Sequence, residues 1–405
     1  MLGAFDQRGG ERAGGVVTVD EKRGVILAVH ADPTQAEGPI TDLGDVILLP
    51  ALVNAHTHCE LSDIREPLGR PGMPFVDWIR EVIAWKEANL ATPQARQNAI
   101  RRGWLEVKRG GAARVCDVVS ALRYGDLPVY DDPLLHAESH LELMGHALGW
   151  AEDALLKARE FVGRPQASRR VAAGRRSGWQ AGLSPHAPYT ASLELVASIA
   201  DVSRKAACPV SIHLAESEEE LELLATGGGP FRELLLERGI YRKEHFPGGR
   251  TPLDYLEALR PAAAVSVIHG TFLSDAEIDF IARQPNFRLV YCPRTHAYFH
   301  DRSWPLARRL ARCGSVLIGT DSRASNPDLS IFDELKFVSA TAPDVSPRDL
   351  IAGSLSASAA SSAGNRLNDW LVIEAPTDVA DPYEAALHVR ATLKGFLYEW
   401  RSRDA

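Results

Sequence analysis

Leu49-Pro50-Ala51-Leu52-Val53-Asn54-Ala55-His56-Thr57-His58 is the stretch on which the fold turns. The apolar run Val46-Ile47-Leu48-Leu49 leads into it and reads as a short, fully buried strand of the parallel-sheet kind. Residues two apart on an extended chain share a face, so His56 and His58 point together. Two imidazoles converging at a strand end can hold a divalent metal, and neutral imidazole suits zinc, iron or nickel. An H-x-H pair alone is as often incidental, so its meaning rests on the residues around it.

Outward from this stretch, strand and helix alternate. Seven further strands are expected at Ala113–Val119, Leu134–Leu143, Gln180–Leu183, Pro209–Leu214, Ala263–Ile268, Phe287–Tyr291 and Ser315–Ile318. Helical spacing runs from Pro74 through Gln97 to Val107, and recurs at Ser192–Ala206, Glu216–Ala225, Asp275–Arg283 and Trp304–Ala311. Eight β/α units predict a closed parallel (β/α)8 barrel of the TIM type, with an open doubly wound sheet as the alternative. Short β-like runs at Gly15–Val19 and Gly24–Val29, and again at Asp369–Ile373 and His388–Thr392, flank this middle. They predict one small β-sandwich assembled from both chain ends, with segments 1–48 and 365–405 around a barrel at 49–364.

Composition narrows the function. The 405 residues are 45% apolar and 24% charged, as in an ordinary soluble globular protein, and the formal charge of -8 gives no sign of a nucleic-acid partner. No apolar run is long enough to cross a bilayer, and no charged leader precedes an apolar segment. Five cysteines without a C-x-x-C pair point to a reduced, cytoplasmic protein. The basic runs Arg101-Arg102 and Arg169 to Arg176 read as solvated faces, as do Glu218, Glu219 and Glu220. Gly227-Gly228-Gly229 lacks a following Lys-Ser/Thr and reads as a loop.

In a parallel barrel the chemistry sits at the C-terminal ends of the strands. There the sequence places His56 and His58 (strand one), His186 (four), His213 (five), His269 (six) and Asp321 (eight). Core packing does not produce such a set, because a buried imidazole or carboxylate is costly unless paired or metal-bound.

These motifs resemble the amidohydrolase superfamily in its deaminase and chlorohydrolase branch. The matching stretches are Pro50 to His58, Ser184-Pro185-His186-Ala187-Pro188-Tyr189-Thr190, His213-Leu214-Ala215-Glu216, His269-Gly270 and Gly319-Thr320-Asp321-Ser322 with Ser325-Asn326. Within the branch the chain is most similar to adenine-nucleoside deaminases, those of aminodeoxyfutalosine and of methylthioadenosine/S-adenosylhomocysteine. The family usually has Gly where this chain has Ala51.

The resemblance implies one divalent metal, zinc with ferrous iron as the alternative, on His56, His58, His213 and Asp321. Binuclear relatives carry a Lys at the end of strand four, and Gln180-Ala181-Gly182-Leu183 has none. It further implies that Glu216 carries the proton to a ring nitrogen, that Asp321 accepts one from water, and that His269 steadies the developing charge. His186 would contact the base, Glu87 the ribose, Arg294 or Arg123 a carboxylate at the 5′ end, and Ser322 would also bind substrate. The partner is then a small heterocyclic substrate and the route menaquinone synthesis. Guanine deamination and triazine dechlorination stay open as alternatives, as does homo-oligomerisation.

Overall fold

The computed structural model describes residues 41–120, 135–145, 150–163, 178–300, 304–355 and 370–397, residue 34, and the strand segments 3–5, 11–13, 16–20, 25–30, 170–171 and 175–176. The chain ends form strands β1 (Gly3–Phe5), β2 (Glu11–Ala13), β3 (Val16–Asp20), β4 (Val25–His30) and β5 (Val46–Pro50). Strands β6 (Leu52–Thr57), β7 (Ala112–Val119) and β8 (His136–Leu143) follow, then a two-stranded ribbon of β9 (Arg170–Val171) and β10 (Arg175–Arg176). Next come β11 (Trp179–Pro185), β12 (Pro209–Leu214), β13 (Ala264–His269), β14 (Phe287–Tyr291) and β15 (Val316–Ile318). The last two are β16 (Trp370–Glu374) and β17 (Thr392–Phe396).

Eight of these, in the order β6-β7-β8-β11-β12-β13-β14-β15, form the expected parallel sheet, with helices between consecutive strands apart from β7 and β8, whose connection lies outside the described residues. It closes between β15 and β6 through the amides of Thr320 and Asp321, which both donate to His56 O at 3.0 Å, and through Thr57 Oγ1 donating to Asp321 O. A Cβ on Gly319 would meet three atoms of His56 at 2.9 Å, so only glycine lets the first and last strands approach this closely.

The barrel interior is divided. Val267, Leu289, Val316 and Ile318 join the main apolar core beneath the helices. By strand alternation their neighbours Ile268, Val290 and Leu317, with Ala55 and Cys292, fill one side of the lumen. The opposite side is polar: Arg114 and His140 both hold Glu138, at 2.7 and 2.9 Å. A Cβ on Gly182 would meet the His140 ring at 2.9 Å, so that glycine makes room for the imidazole.

Both chain ends build one mixed sheet, β17-β16-β5-β1-β2, and the β3–β4 hairpin packs over it. Ile26, Val46, Leu48, Trp370, Val372 and Leu397 form the apolar layer between them. The run Val46 to Leu49 therefore differs from the sequence expectation. It is a fully buried strand, but it belongs to this terminal sheet, paired with β1 and β16, and the barrel strand starts at Leu52. Val46 and Leu48 face the hairpin while Ile47 and Leu49 join the main core, so burial on both faces made the run read as a barrel strand.

The helical stretch from Pro74 to Val107 is two helices, α1 (Phe75–Asn89) and α2 (Pro93–Arg109). Thr92 caps the second by accepting from Ala95 N, and Pro93 suits only a first turn, which makes the break. Arg123, for which the resemblance implies a carboxylate contact, lies outside the described residues, as does the segment 356–369 before the last sheet strands.

Candidate active site

Strand β6 delivers His56 into the barrel mouth at 1% exposure, and His58 follows it. His58 Nε2 stands 3.2 Å from His213 Nε2, and Asp321 Oδ1 lies 3.4 Å from His56 Nε2 and 3.7 Å from His58 Nε2. Nitrogen and oxygen ligands about 2.0–2.1 Å from a common tetrahedral centre stand about 3.3 Å apart, so these edges fit one small divalent cation. His56 Nε2 is buried with no hydrogen-bond partner, a costly state that a cation would relieve. His213 Nδ1 donates to the carbonyl of His186 at 2.9 Å, which leaves its Nε2 lone pair aimed at the cluster. Burial pushes His56 down to about 3, and burial together with the neighbouring rings holds His58 and His213 well below the usual imidazole range. Neutral imidazoles beside a carboxylate are the donor set a divalent metal takes, so His56, His58, His213 and Asp321 fit the implied ion.

The backbone is strained where these side chains are presented. Asp321, His269 and Ala215 have φ of 56°, 65° and 54°, in the left-handed region that non-glycine residues rarely enter. Each sits just after or at the end of a barrel strand, and such strain persists only where surrounding structure holds it. Around Asp321 that structure is the strand closure onto His56; Ser325 Oγ also donates to Asp321 Oδ2 at 3.2 Å.

Glu216 is 7% exposed, in the turn between β12 and the helix Glu218–Thr226, not in the helix itself. Its Oε1 lies 3.3 Å from His269 Nε2. Burial, with the charges of Asp321 and Glu220 added, raises the Glu216 carboxyl well above the usual carboxylate range. His269 is held neutral by the same burial. Glu220 corrects the reading of this acidic run as a solvated face. Glu218 is exposed, but Glu220 is fully buried and accepts from the amides of Ala215 and Glu216 at 2.8 and 3.2 Å. It faces inward because it lies on the inner side of the first helical turn, and it fixes the turn that carries Glu216.

The expected substrate residues divide. His186 stands next to the cluster, its ring 5.2 Å from that of His213, with Nδ1 bonded to Thr190 Oγ1 at 2.6 Å. Ser322 is buried beside Asp321 and accepts from Ala324 N. Glu87 is not brought to the site: its side chain is 60% exposed and binds Arg238 at 2.6 Å on the outer face of α1. Arg294 is also committed elsewhere. Its guanidinium, 13% exposed, binds Glu334 at 2.9 Å and Asp328 at 2.7 Å, so it neutralises a fully buried carboxylate instead of awaiting one. Arg294→Ala is therefore expected to cost about 3 kcal/mol of folding stability by stranding Glu334. Denaturant melts should show that loss, and a change confined to KM with unaltered stability would contradict it.

Other charged groups at the mouth escaped sequence reasoning. Glu60, fully buried just past His58, binds Lys86 at 2.6 Å and the Ser120 hydroxyl. Lys86 precedes Glu87 by one residue and turns inward where Glu87 turns out. Glu142, near the end of β8, lies 3.7 Å from His186 Nε2 with its side chain 4% exposed. The signal was present as polar residues at positions 138, 140 and 142 alternating with Ala137, Ser139 and Leu141, which marks one strand face as inward and polar.

Comparison with known proteins agrees with this geometry. Residues 47–361 match the model of the amidohydrolase family. An aminodeoxyfutalosine deaminase of Deinococcus radiodurans is 30% identical over 360 residues, which cover 85% of this chain and 80% of that protein. Among solved structures, aminofutalosine deaminase of Helicobacter pylori in complex with methylthio-coformycin superposes with a TM-score of 0.72 at 20% identity, covering 97% of this chain and 96% of that one. An adenosine deaminase from Xanthomonas campestris with bound zinc superposes with a TM-score of 0.69 at 20% identity, covering 96% and 88%. At such identities the superpositions speak for the fold, while the family match and the Deinococcus relative speak for descent: this chain belongs to the amidohydrolase family.

Proposed function

We propose that this enzyme is a metal-dependent hydrolase that deaminates the adenine ring of a nucleoside, with aminodeoxyfutalosine as its substrate and futalosine and ammonia as products. The observation that carries the reading is the buried pair of Glu216 and His269 set against the His56, His58, His213 and Asp321 cluster. A divalent cation there, zinc or alternatively ferrous iron, supplies a Lewis acid and a nucleophilic water active at neutral pH. Glu216, kept protonated by burial, gives its proton to the ring nitrogen N1 as water attacks the neighbouring carbon C6. Asp321 takes the first proton released by that water and passes it to the amino group, which leaves as ammonia, while the hydroxyl proton lost as the carbonyl forms returns to Glu216. His269, neutral and held by Glu216, donates toward the oxygen on which charge develops. His186 and Ser322 border the space for the heterocycle.

The Deinococcus relative and the ligand of the Helicobacter structure support an adenine nucleoside over guanine or a triazine. Menaquinone synthesis is the pathway this substrate implies. Five free cysteines favour the cytoplasm, and among the described residues no helix is long and apolar enough to cross a membrane. The test is a panel of purines and triazines given to metal-replete protein, read as ammonia release and as the adenine-to-hypoxanthine absorbance change. Aminodeoxyfutalosine is expected to have the highest kcat/KM. Far faster turnover of guanine or a triazine would overturn the reading, and preference for methylthioadenosine or S-adenosylhomocysteine would move the substrate within it.

A further inference from the structure

The mouth of the barrel has two halves. The cluster that fits a metal draws on strands one, five and eight, while the ends of strands one to four contribute Glu60, Ser120, Glu142 and His186. Within that second half the charges are settled except one. Lys86 Nζ is fixed by Glu60 at 2.6 Å and by Ser120 Oγ at 2.8 Å, and Arg96 approaches Glu60 at 3.6 Å. Glu142 has no such partner. Its side chain is 96% buried by the 4% exposure given above, yet among the described residues it accepts no hydrogen bond, and its only ion contact is His186 at 3.7 Å. A carboxylate so largely withdrawn from water with no donor is costly, and a ligand that donates to it relieves that cost.

Its place indicates the ligand. Glu142 pairs in register with Ser184, two residues before His186, and the His186 ring touches that of His213. Glu142 thus stands one side chain further from the catalytic cluster than the residue that borders the heterocycle. A substituent on the far side of the ring would meet it there. An ammonium group is disfavoured, because the positive charge of Lys86 already acts on both Glu142 and His186. Neutral hydroxyls remain, and the two oxygens of one carboxylate accept from two adjacent hydroxyls in the same way as they accept a two-pronged donor.

We propose that Glu142 binds the vicinal hydroxyls of the substrate's sugar, taking the part that the sequence assigned to Glu87. This rests on the nucleoside reading above. The experiment compares adenosine with 2′,3′-dideoxyadenosine on the metal-loaded parent enzyme and on Glu142→Gln. The parent is expected to lose about 10- to 100-fold in kcat/KM on the dideoxy compound, chiefly through KM. Glu142→Gln should show a similar loss on adenosine, little discrimination between the two, and unchanged metal content. If Glu142→Gln does not fold, Glu142→Asp decides, since its preference for adenosine should shrink. Parent-like discrimination in either variant, or none in the parent, overturns the assignment while leaving a nucleoside deaminase standing. Failure of the parent to turn over any adenine nucleoside overturns both.

Discussion

Purified protein is expected to carry about one tightly held divalent ion per chain, and a His56→Ala, His213→Ala double variant to carry none. The physical case is the neutral cluster itself. His56 Nε2 is buried and unpartnered, and His58 and His213 face each other through ring nitrogens 3.2 Å apart. At most one proton fits between two such nitrogens, so an empty cluster leaves buried lone pairs opposed. Losing even an outer partner of a ligand weakens binding about 10- to 100-fold, and the double variant loses two of the four ligands themselves. Elemental analysis after gel filtration gives the count. A second readout is stability: ligand at about 1,000 times its Kd stabilises by about 4 kcal/mol, so chelation should lower the parent's Tm and leave the double variant's unchanged. Tight metal content that persists in the double variant would place the ion elsewhere.

The second large effect separates binding from chemistry. Glu216→Gln keeps the shape of the side chain but cannot release and recover a proton, so turnover should fall at least ~10²-fold with metal content retained. Its carboxyl is poised for this work by burial, by Asp321 and by Glu220. Glu220, bonded to two backbone amides, is placed to hold the turn and not to exchange protons with substrate. Metal content and kcat measured on the same preparation settle the point. Activity near that of the parent would remove Glu216 from the mechanism.

Much of this protein was legible in its sequence. Strands at Pro209–Leu214 and Phe287–Tyr291 appear with the expected bounds, and the other barrel strands after the first differ by one or two residues at an end. The converging residues His56, His58, His213, His269 and Asp321 were marked by strand-end position alone. These features are local: a run of apolar residues makes a strand, its last residues face the mouth, and the order of motifs follows the chain. The tertiary structure alone decided which charged groups are free. Arg294 looked available until Glu334, forty residues on, took it, and Glu220 looked solvated until the strand-five turn needed its oxygens. Lys86 and Glu87 differ by one step along a helix, about 100° of rotation, and only packing of α1 against the barrel says which one turns in. Val46 to Leu49 joined a sheet whose other strands lie at the two ends of the chain. Pattern reveals that a side chain is buried, but its partner is chosen by contacts across many residues, and at a charged site the partner determines the role.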